Sequence, residues 1–149
     1  MKLFIVLLLL IVILNNSSKG GEGLSAPNQY VVFGVIAKPA SLRAGRKCQL
    51  LISLKPVKGI HVNLKPPMEF KFDSSETISS VGQLEIPTSG RTGYLDPSKP
   101  VKQTFMLSEK LKPGEAVVHG MLTYFYCSDA EGWCSKFKQP VEITIAVTK

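Results

Sequence analysis

The stretch that most constrains the fold runs from Thr123 to Cys134 and reads TYFYCSDAEGWC. Its first part is aromatic and β-branched, as in a strand, and it ends on Cys127. Six turn-prone or polar residues follow before Cys134. If the two cysteines face each other across the mouth of a β-hairpin, their Cα atoms lie about 4.5–5.5 Å apart, within the range that a disulfide requires. The spacing therefore permits a disulfide.

The spacing leaves open whether such a bond is redox-active or structural. In the loop-entropy model, closing a loop of about eight residues stabilises by about 2.5 kcal/mol, whereas joining Cys48 to either of the other cysteines gives about 4.5 kcal/mol. A purely structural bond would therefore stabilise more elsewhere. Many hairpins nevertheless carry structural bonds, so both interpretations stand.

The N-terminus has the sequence pattern of an export signal. Met1 and Lys2 precede twelve uninterrupted apolar residues, 3–14. As a helix this run is about 18 Å long, too short for a hydrocarbon core of about 30 Å. We therefore expect a signal peptide over residues 1–18, cleaved or retained as an anchor, and a flexible tether over 19–28. The protein is then expected to be periplasmic or secreted.

The third cysteine is expected to be a core residue. Disulfides persist outside the cytosol, and an odd number of cysteines leaves one unpaired. Cys48 alternates in phase with Leu50, Ile52 and Leu54. It therefore points to the apolar face of a strand, where a cysteine behaves as a small hydrophobe.

Short β-rich segments separated by turn residues make up the rest of the chain. The ten prolines and twelve glycines fall mostly between these segments, and no window shows apolar residues at helical spacing. The expected strands cover residues 30–37, 46–55, 59–64, 69–72, 83–86, 101–107, 115–127 and 141–147. The pattern predicts a single all-β sandwich over residues 29–149.

Charge and motifs exclude several functions. The net charge of +7 comes from scattered lysines, which indicates a solvated basic surface and not a nucleic-acid stripe. His61 and His119 are the only histidines, and they show no metal-ligand spacing with the cysteines. Phosphate-binding and hydrolase motifs are absent from the sequence. We expect no metal, no cofactor and no nucleic-acid partner.

Two segments carry a family resemblance. KGIHVNLKPP at 58–67 and GMLTYFYCSD at 120–129, with Cys134 beyond, resemble the N-terminal, periplasmic domain of the thiol:disulfide interchange protein DsbD and its stand-alone relatives. The resemblance implies an immunoglobulin-like antiparallel β-sandwich in which Cys127 and Cys134 cycle between dithiol and disulfide. One cysteine would be attacked to form a mixed disulfide, and the other would resolve it.

The same resemblance suggests residues that cap the pair or contact a partner. The family's capping loop falls near residues 93–97, where Tyr94 would shield the sulfurs and Leu95 lies beside it. Tyr126 and Trp133 each adjoin one of the cysteines. Trp133 is expected either to face a partner or to anchor the loop.

Two functions remain open from the sequence. The first is an exported thiol–disulfide exchange module, without a cofactor of its own, that passes electrons through the cysteine pair to or from thioredoxin-like or membrane thiol–disulfide proteins. Whether such a module counts as an enzyme is left open. The second is an immunoglobulin-like binding or adaptor domain whose Cys127–Cys134 bond is only structural.

Overall fold

The structure, a computed structural model, describes residues 27–90 and 93–149. The described residues form nine β-strands: β1 (Val31–Lys38), β2 (Ser41–Arg43), β3 (Lys47–Pro56), β4 (Ile60–Asn63), β5 (Glu69–Phe72), β6 (Ile78–Glu85), β7 (Val101–Leu107), β8 (Gly114–Ser128) and β9 (Trp133–Thr148). Within these ranges there is no helix with the length and hydropathy of a membrane span. The expected signal peptide, residues 1–18, and most of the expected tether, residues 19–28, lie outside the described residues.

The strands form two sheets whose inner faces share one hydrophobic core. The four-stranded sheet has the order β1-β3-β7-β6. The five-stranded sheet has the order β2-β9-β8-β4, and β5 also pairs with β8. The strand pairings of the described residues are antiparallel apart from that of β2 with β9, which is parallel. The all-β sandwich predicted from the sequence is confirmed.

The core follows the alternation that the sequence shows. Cys48, Leu50, Ile52 and Leu54 on β3 are each at most 1% exposed, because successive side chains of a strand point to opposite faces. Cys48 is a free, buried thiol, as predicted. Burial raises the pKa of this thiol, since the thiolate would lose its hydration there.

Three strands differ from the sequence expectation by more than one residue at an end. β6 is longer than residues 83–86, but most of it is exposed and its register with β7 shifts twice, so it lacks a regular alternation. β9 begins at Trp133 and not at residue 141, because backbone pairing with β8 holds its polar first half in the sheet. β2 was missed, since only three residues pair with β9.

The hairpin of β8 and β9 positions the cysteine pair. These two strands are 15 and 16 residues long and pair from Gly114 with Val147 up to Ser128 with Trp133. β4 lies on the other side of β8, where its residue His61 is opposite Cys127. The pair therefore sits at one end of the five-stranded sheet.

Candidate functional site

Cys127 and Cys134 form a disulfide across the mouth of the β8–β9 hairpin. Their sulfurs are 1.99 Å apart and their Cα atoms 4.0 Å apart, slightly closer than the sequence-based expectation. The two residues are direct partners in the strand register. The predicted hairpin bond is thus present, and its chemical role depends on the surroundings.

A short turn closes the hairpin just beyond the disulfide. The backbone N–H of Gly132 donates to the carbonyl oxygen of Ser128 at 2.9 Å, and that of Glu131 donates to Ser128 Oγ at 3.3 Å. Gly132 has a φ of +70°, a left-handed conformation that favours glycine. The turn holds both strand ends in register at the cysteines.

The two cysteines differ in exposure. Cys127 is only 4% exposed, because β8 is flanked by β4 on one side and β9 on the other. Cys134 is exposed. Among the described residues, its strand has β8 on one side only at this point, because β2, the other neighbour of β9, pairs with residues 146–148 at the opposite end. The disulfide is therefore accessible from the Cys134 side.

Asn63 on β4 contacts the buried sulfur. Its Nδ2 donates a hydrogen bond to Cys127 Sγ at 2.8 Å. Its Oδ1 is buried and has no hydrogen-bond partner among the described residues. Sequence reasoning missed Asn63, because it is 64 residues from Cys127 and becomes its neighbour only through the pairing of β4 with β8.

A loop segment extends the sheet on the outer side of β4. Tyr94 forms an isolated bridge with Asn63. The backbone N–H of Leu95 donates to the carbonyl oxygen of Val62 at 2.9 Å, and that of Leu64 donates to the carbonyl oxygen of Gly93 at 3.2 Å. The predicted capping segment is thus attached to the strand that carries Asn63.

Tyr94 takes part in a polar cluster beside the disulfide. Its ring lies on the His61 imidazole with centroids 3.8 Å apart, and its hydroxyl donates to Asp129 Oδ2 at 3.3 Å. His61 Nε2 is 3.5 Å from Asp129 Oδ1. Desolvation, and then the Asp129 carboxylate, raise the pKa of Tyr94. Tyr94 therefore covers His61, the direct cross-strand neighbour of Cys127.

The other three predicted contact residues are buried or half-buried. Leu95 is 4% exposed and Tyr126 is 6% exposed, and both belong to the hydrophobic core, so they present little surface to a partner. Trp133 is half-buried and packs edge-on against Tyr30 and Tyr126, with centroid distances of 5.0 and 5.9 Å. Its indole N–H donates to Glu131. These contacts favour an anchoring role for Trp133.

Positive charge lies along β9 next to the exposed cysteine. Lys136 and Lys138 are exposed and, by strand alternation, share a face with Cys134. Lys136 Nζ is 5.8 Å from the centroid of the Phe125 ring. The neighbouring Asp129 is already engaged by Tyr94 and His61. The face of β9 that carries Cys134 is therefore positively charged.

The histidines do not form a metal site in the described part of the chain. His61 lies beside Asp129, whereas His119 on β8 has Nδ1 3.4 Å from Glu142 Oε2 on β9. Within residues 27–90 and 93–149, no group of three or more His, Cys, Asp or Glu side chains is arranged to hold a metal ion.

Comparison with known proteins finds a similar solved structure. No family model matches the chain, and no curated protein matches it. The chain is similar to the crystal structure of the Neisseria meningitidis DsbD N-terminal domain in the reduced form, at 15% identity over 80% of this chain and 86% of that chain, with a TM-score of 0.34. The match agrees with the resemblance predicted from the sequence.

Proposed function

We propose that the protein is a thiol–disulfide exchange module that passes electrons through Cys127 and Cys134 to or from thioredoxin-like or membrane thiol–disulfide proteins. The observation that carries the proposal is the asymmetry of the disulfide, with Cys134 exposed at a sheet edge and Cys127 buried. Exchange requires one sulfur that an incoming thiolate can reach. A structural disulfide has no need of an accessible sulfur.

We assign different roles to the two cysteines. A thiolate of a reduced partner attacks Cys134 Sγ, because this residue is the exposed one. The Cys127–Cys134 bond breaks, its electron pair remains on Cys127 Sγ, and the partner is joined to Cys134 as a mixed disulfide. The second thiolate of the partner then attacks the partner sulfur that is bonded to Cys134, and Cys134 leaves as a thiolate. The domain has gained two electrons, and the partner has become a disulfide.

The reverse sequence delivers the electrons. The Cys134 thiolate attacks the disulfide of an oxidised acceptor, and one acceptor sulfur leaves as a thiolate. Cys127 then attacks Cys134 Sγ in the mixed disulfide and releases the reduced acceptor. Because the two cysteines are opposite each other in the hairpin, the resolving thiol is already in place.

We place this activity outside the cytosol. Residues 1–18 are proposed as a signal peptide or a retained anchor, and residues 19–28 as the tether of the exported domain. Outside the cytosol the disulfide form of such a pair persists until a dedicated reductant reaches it. The domain would therefore depend on thiol–disulfide proteins for its electrons.

The reduction potential of the pair is the direct test. The domain is equilibrated in glutathione or dithiothreitol buffers, and free thiols are counted by mass. We expect a potential within about −120 to −270 mV, the range of known exchange proteins. A potential below about −300 mV, typical of inert bonds, would contradict the proposal. That result would favour a binding or adaptor domain whose bond only stiffens the hairpin.

Single cysteine variants test the assignment of roles. With Cys127→Ala, a thioredoxin-like partner is expected to remain attached to Cys134, because the resolving thiol is missing. With Cys134→Ala, little adduct is expected, because Cys127 is 4% exposed. Non-reducing electrophoresis and mass spectrometry of the adduct measure both. Equal trapping by the two variants would argue against Cys134 as the attacked residue.

A further inference from the structure

We infer that Asn63 is a further catalytic residue of the exchange reaction, whose side-chain amide stabilises the thiolate that forms on Cys127 when the disulfide is opened at Cys134. The biological role of Asn63 rests on the proposed function. Its chemical effect can be measured with any thiol reductant, whether or not a protein partner exists.

The hydrogen bond from Asn63 points at the sulfur that receives charge. Asn63 Nδ2 is 2.8 Å from Cys127 Sγ in the disulfide form. A disulfide sulfur is a weak acceptor, whereas hydrogen bonds to an ionised acceptor are about twice as strong as neutral ones. The interaction therefore strengthens as the bond breaks, which lowers the barrier to the step that forms the thiolate.

The unpartnered half of the same amide supports this assignment. Asn63 Oδ1 is buried and has no hydrogen-bond partner among the described residues, which is unfavourable for the folded state. An apolar side chain of similar size would avoid that cost. A group that is costly to the fold and holds a donor against a reactive sulfur is best explained by the reaction.

The charged neighbours leave the Cys127 thiolate in need of such a donor. From the β8–β9 turn, Asp129 brings negative charge to the same end of the sheet, although Tyr94 and His61 engage its two oxygens. From β9, Lys136 lies on the Cys134 side and over the Phe125 ring. The amide of Asn63 is the hydrogen-bond donor that the structure shows on Cys127 itself.

The step balances without any further reactant. The attacking sulfur of a partner dithiol forms a bond to Cys134 Sγ, and the Cys127–Cys134 bond breaks. The electron pair of that bond goes to Cys127 Sγ, where Asn63 Nδ2–H donates to the new thiolate. Two electrons have moved from the partner to the domain once the second partner thiolate has closed the partner's own disulfide.

Two substitutions of Asn63 test the inference with a matched control. Asn63→Leu removes the donor at similar size, and Asn63→Asp replaces it with an anion. Asn28→Asp is the control, because Asn28 is another side-chain amide that donates to a buried residue, here Tyr124 Oη at 3.0 Å. Tyr124 points to the core from β8 and is 0% exposed, away from the face that carries Cys127.

The readouts are the reduction rate by dithiothreitol and the pKa of the Cys127 thiol, measured by thiolate absorbance in a Cys134→Ser background. Loss of a hydrogen bond to a thiolate should raise that pKa by about one unit, and Asn63→Asp by more. The disulfide of Asn63→Leu should be reduced about threefold more slowly, since a more basic thiolate is a poorer leaving group and the exchange rate follows only part of the change in acidity. At a pH above the pKa of the Cys127 thiol, a tenfold fall in its acid dissociation constant makes the reduction potential of the variant about 30 mV more negative than that of the parent. Asn28→Asp should change neither readout.

Stability separates this role from a merely structural one. If Asn63 serves the reaction, Asn63→Leu should melt at the same temperature as the parent or higher, because it removes a buried unpartnered oxygen, while its disulfide reacts more slowly. A structural role predicts a lower melting temperature with unchanged chemistry. If leucine prevents folding, the variant Asn63→Ala is used instead, because alanine is smaller than asparagine. Its melting temperature and its reduction rate are measured in the same way.

The outcomes for the two proposals can be told apart. An unchanged pKa and an unchanged reduction rate in the folded Asn63 variants would overturn the inference about Asn63, even if the parent exchanges electrons with its partners. A parent potential below about −300 mV would overturn the proposed function, while the dithiothreitol rates still report on Asn63.

Discussion

At the scale of single residues, burial sets the chemistry of Tyr124. This side chain is 0% exposed, and its hydroxyl accepts a hydrogen bond from Asn28 Nδ2 at 3.0 Å. Burial raises the pKa of Tyr124 to about 12, against the lowering effect of the Asn28 hydrogen bond. A buried phenolate is unfavourable because it loses its hydration.

The raised pKa predicts a loss of stability in alkaline solution. Below about pH 10 the tyrosine is protonated in both the folded and the unfolded state, and its contribution to the free energy of unfolding is present in full. Between about pH 10 and 12 the unfolded state releases the proton that the folded state keeps, so the free energy of unfolding falls as the pH rises, by about 2–3 kcal/mol in total. Urea unfolding at pH 7, 10 and 11 measures this slope.

The variant Tyr124→Phe serves as the comparison. It should lose about 1 kcal/mol at pH 7, because the hydrogen bond from Asn28 is lost. Its stability should then fall less steeply than that of the parent between about pH 10 and 11, since no phenol titrates at this position. Parallel slopes for the two proteins would show that Tyr124 does not cause the alkaline loss.

At the scale of elements, the packing of β5 on β8 depends on a glycine. Gly120 is buried, and a Cβ added there would lie 2.7 Å from Phe70 Cε1 and Cζ and 2.9 Å from the carbonyl oxygen of Lys71. These separations are below normal contact, and one of the atoms belongs to the paired backbone of β5. A side chain at this position would therefore push the two strands apart.

We expect Gly120→Ala to reduce the free energy of unfolding by about 1–3 kcal/mol, as for other overpacked sites. Gly34→Ala on β1 is the matched control, because its added Cβ would meet only Ser53 Cβ, at 3.9 Å. That substitution should be neutral, or stabilising by up to about 1 kcal/mol, since it lowers the entropy of the unfolded chain. Urea unfolding of both variants is the measurement. Equal stability of the two would contradict the predicted strand contact.

At the scale of the whole molecule, charge should affect which thiols reach the disulfide. The net charge is +7, and Lys136 and Lys138 share the face of Cys134. A positive field beside a reactive site attracts anionic reactants and is weakened by salt. The domain should therefore be reduced faster by an anionic thiol such as glutathione than by a neutral thiol of the same thiolate concentration.

This preference should fall several-fold as the ionic strength rises from about 0.01 to 0.15 M, because the screening length drops from about 30 to 8 Å. Replacing Lys136 and Lys138 with glutamine should weaken the preference at low salt. Removing the same charge at Lys55 and Lys47, which belong to β3 of the four-stranded sheet, is the control. Stopped-flow reduction rates for both thiols measure the ratio. A ratio that does not change with salt would show that the local charge has no role.

Several local elements of this protein follow from short patterns in its sequence. The bounds of β5 and β7 were predicted as observed, and Cys48 lies on the apolar face of β3 as its alternation indicates. The Cys127–Cys134 hairpin was readable from a strand, a turn and a spacing. These features depend on neighbouring residues along the chain, so a local pattern is sufficient to encode them.

The surroundings of the disulfide, in contrast, depend on contacts between distant parts of the chain. Asn63 reaches Cys127 across 64 residues of sequence, and Tyr94 reaches Asp129 across 35. The exposure of Cys134 depends on where β2 ends its pairing with β9. Which strands lie side by side is set by the packing of two whole sheets, and no local pattern at Asn63 or Cys134 carries that information.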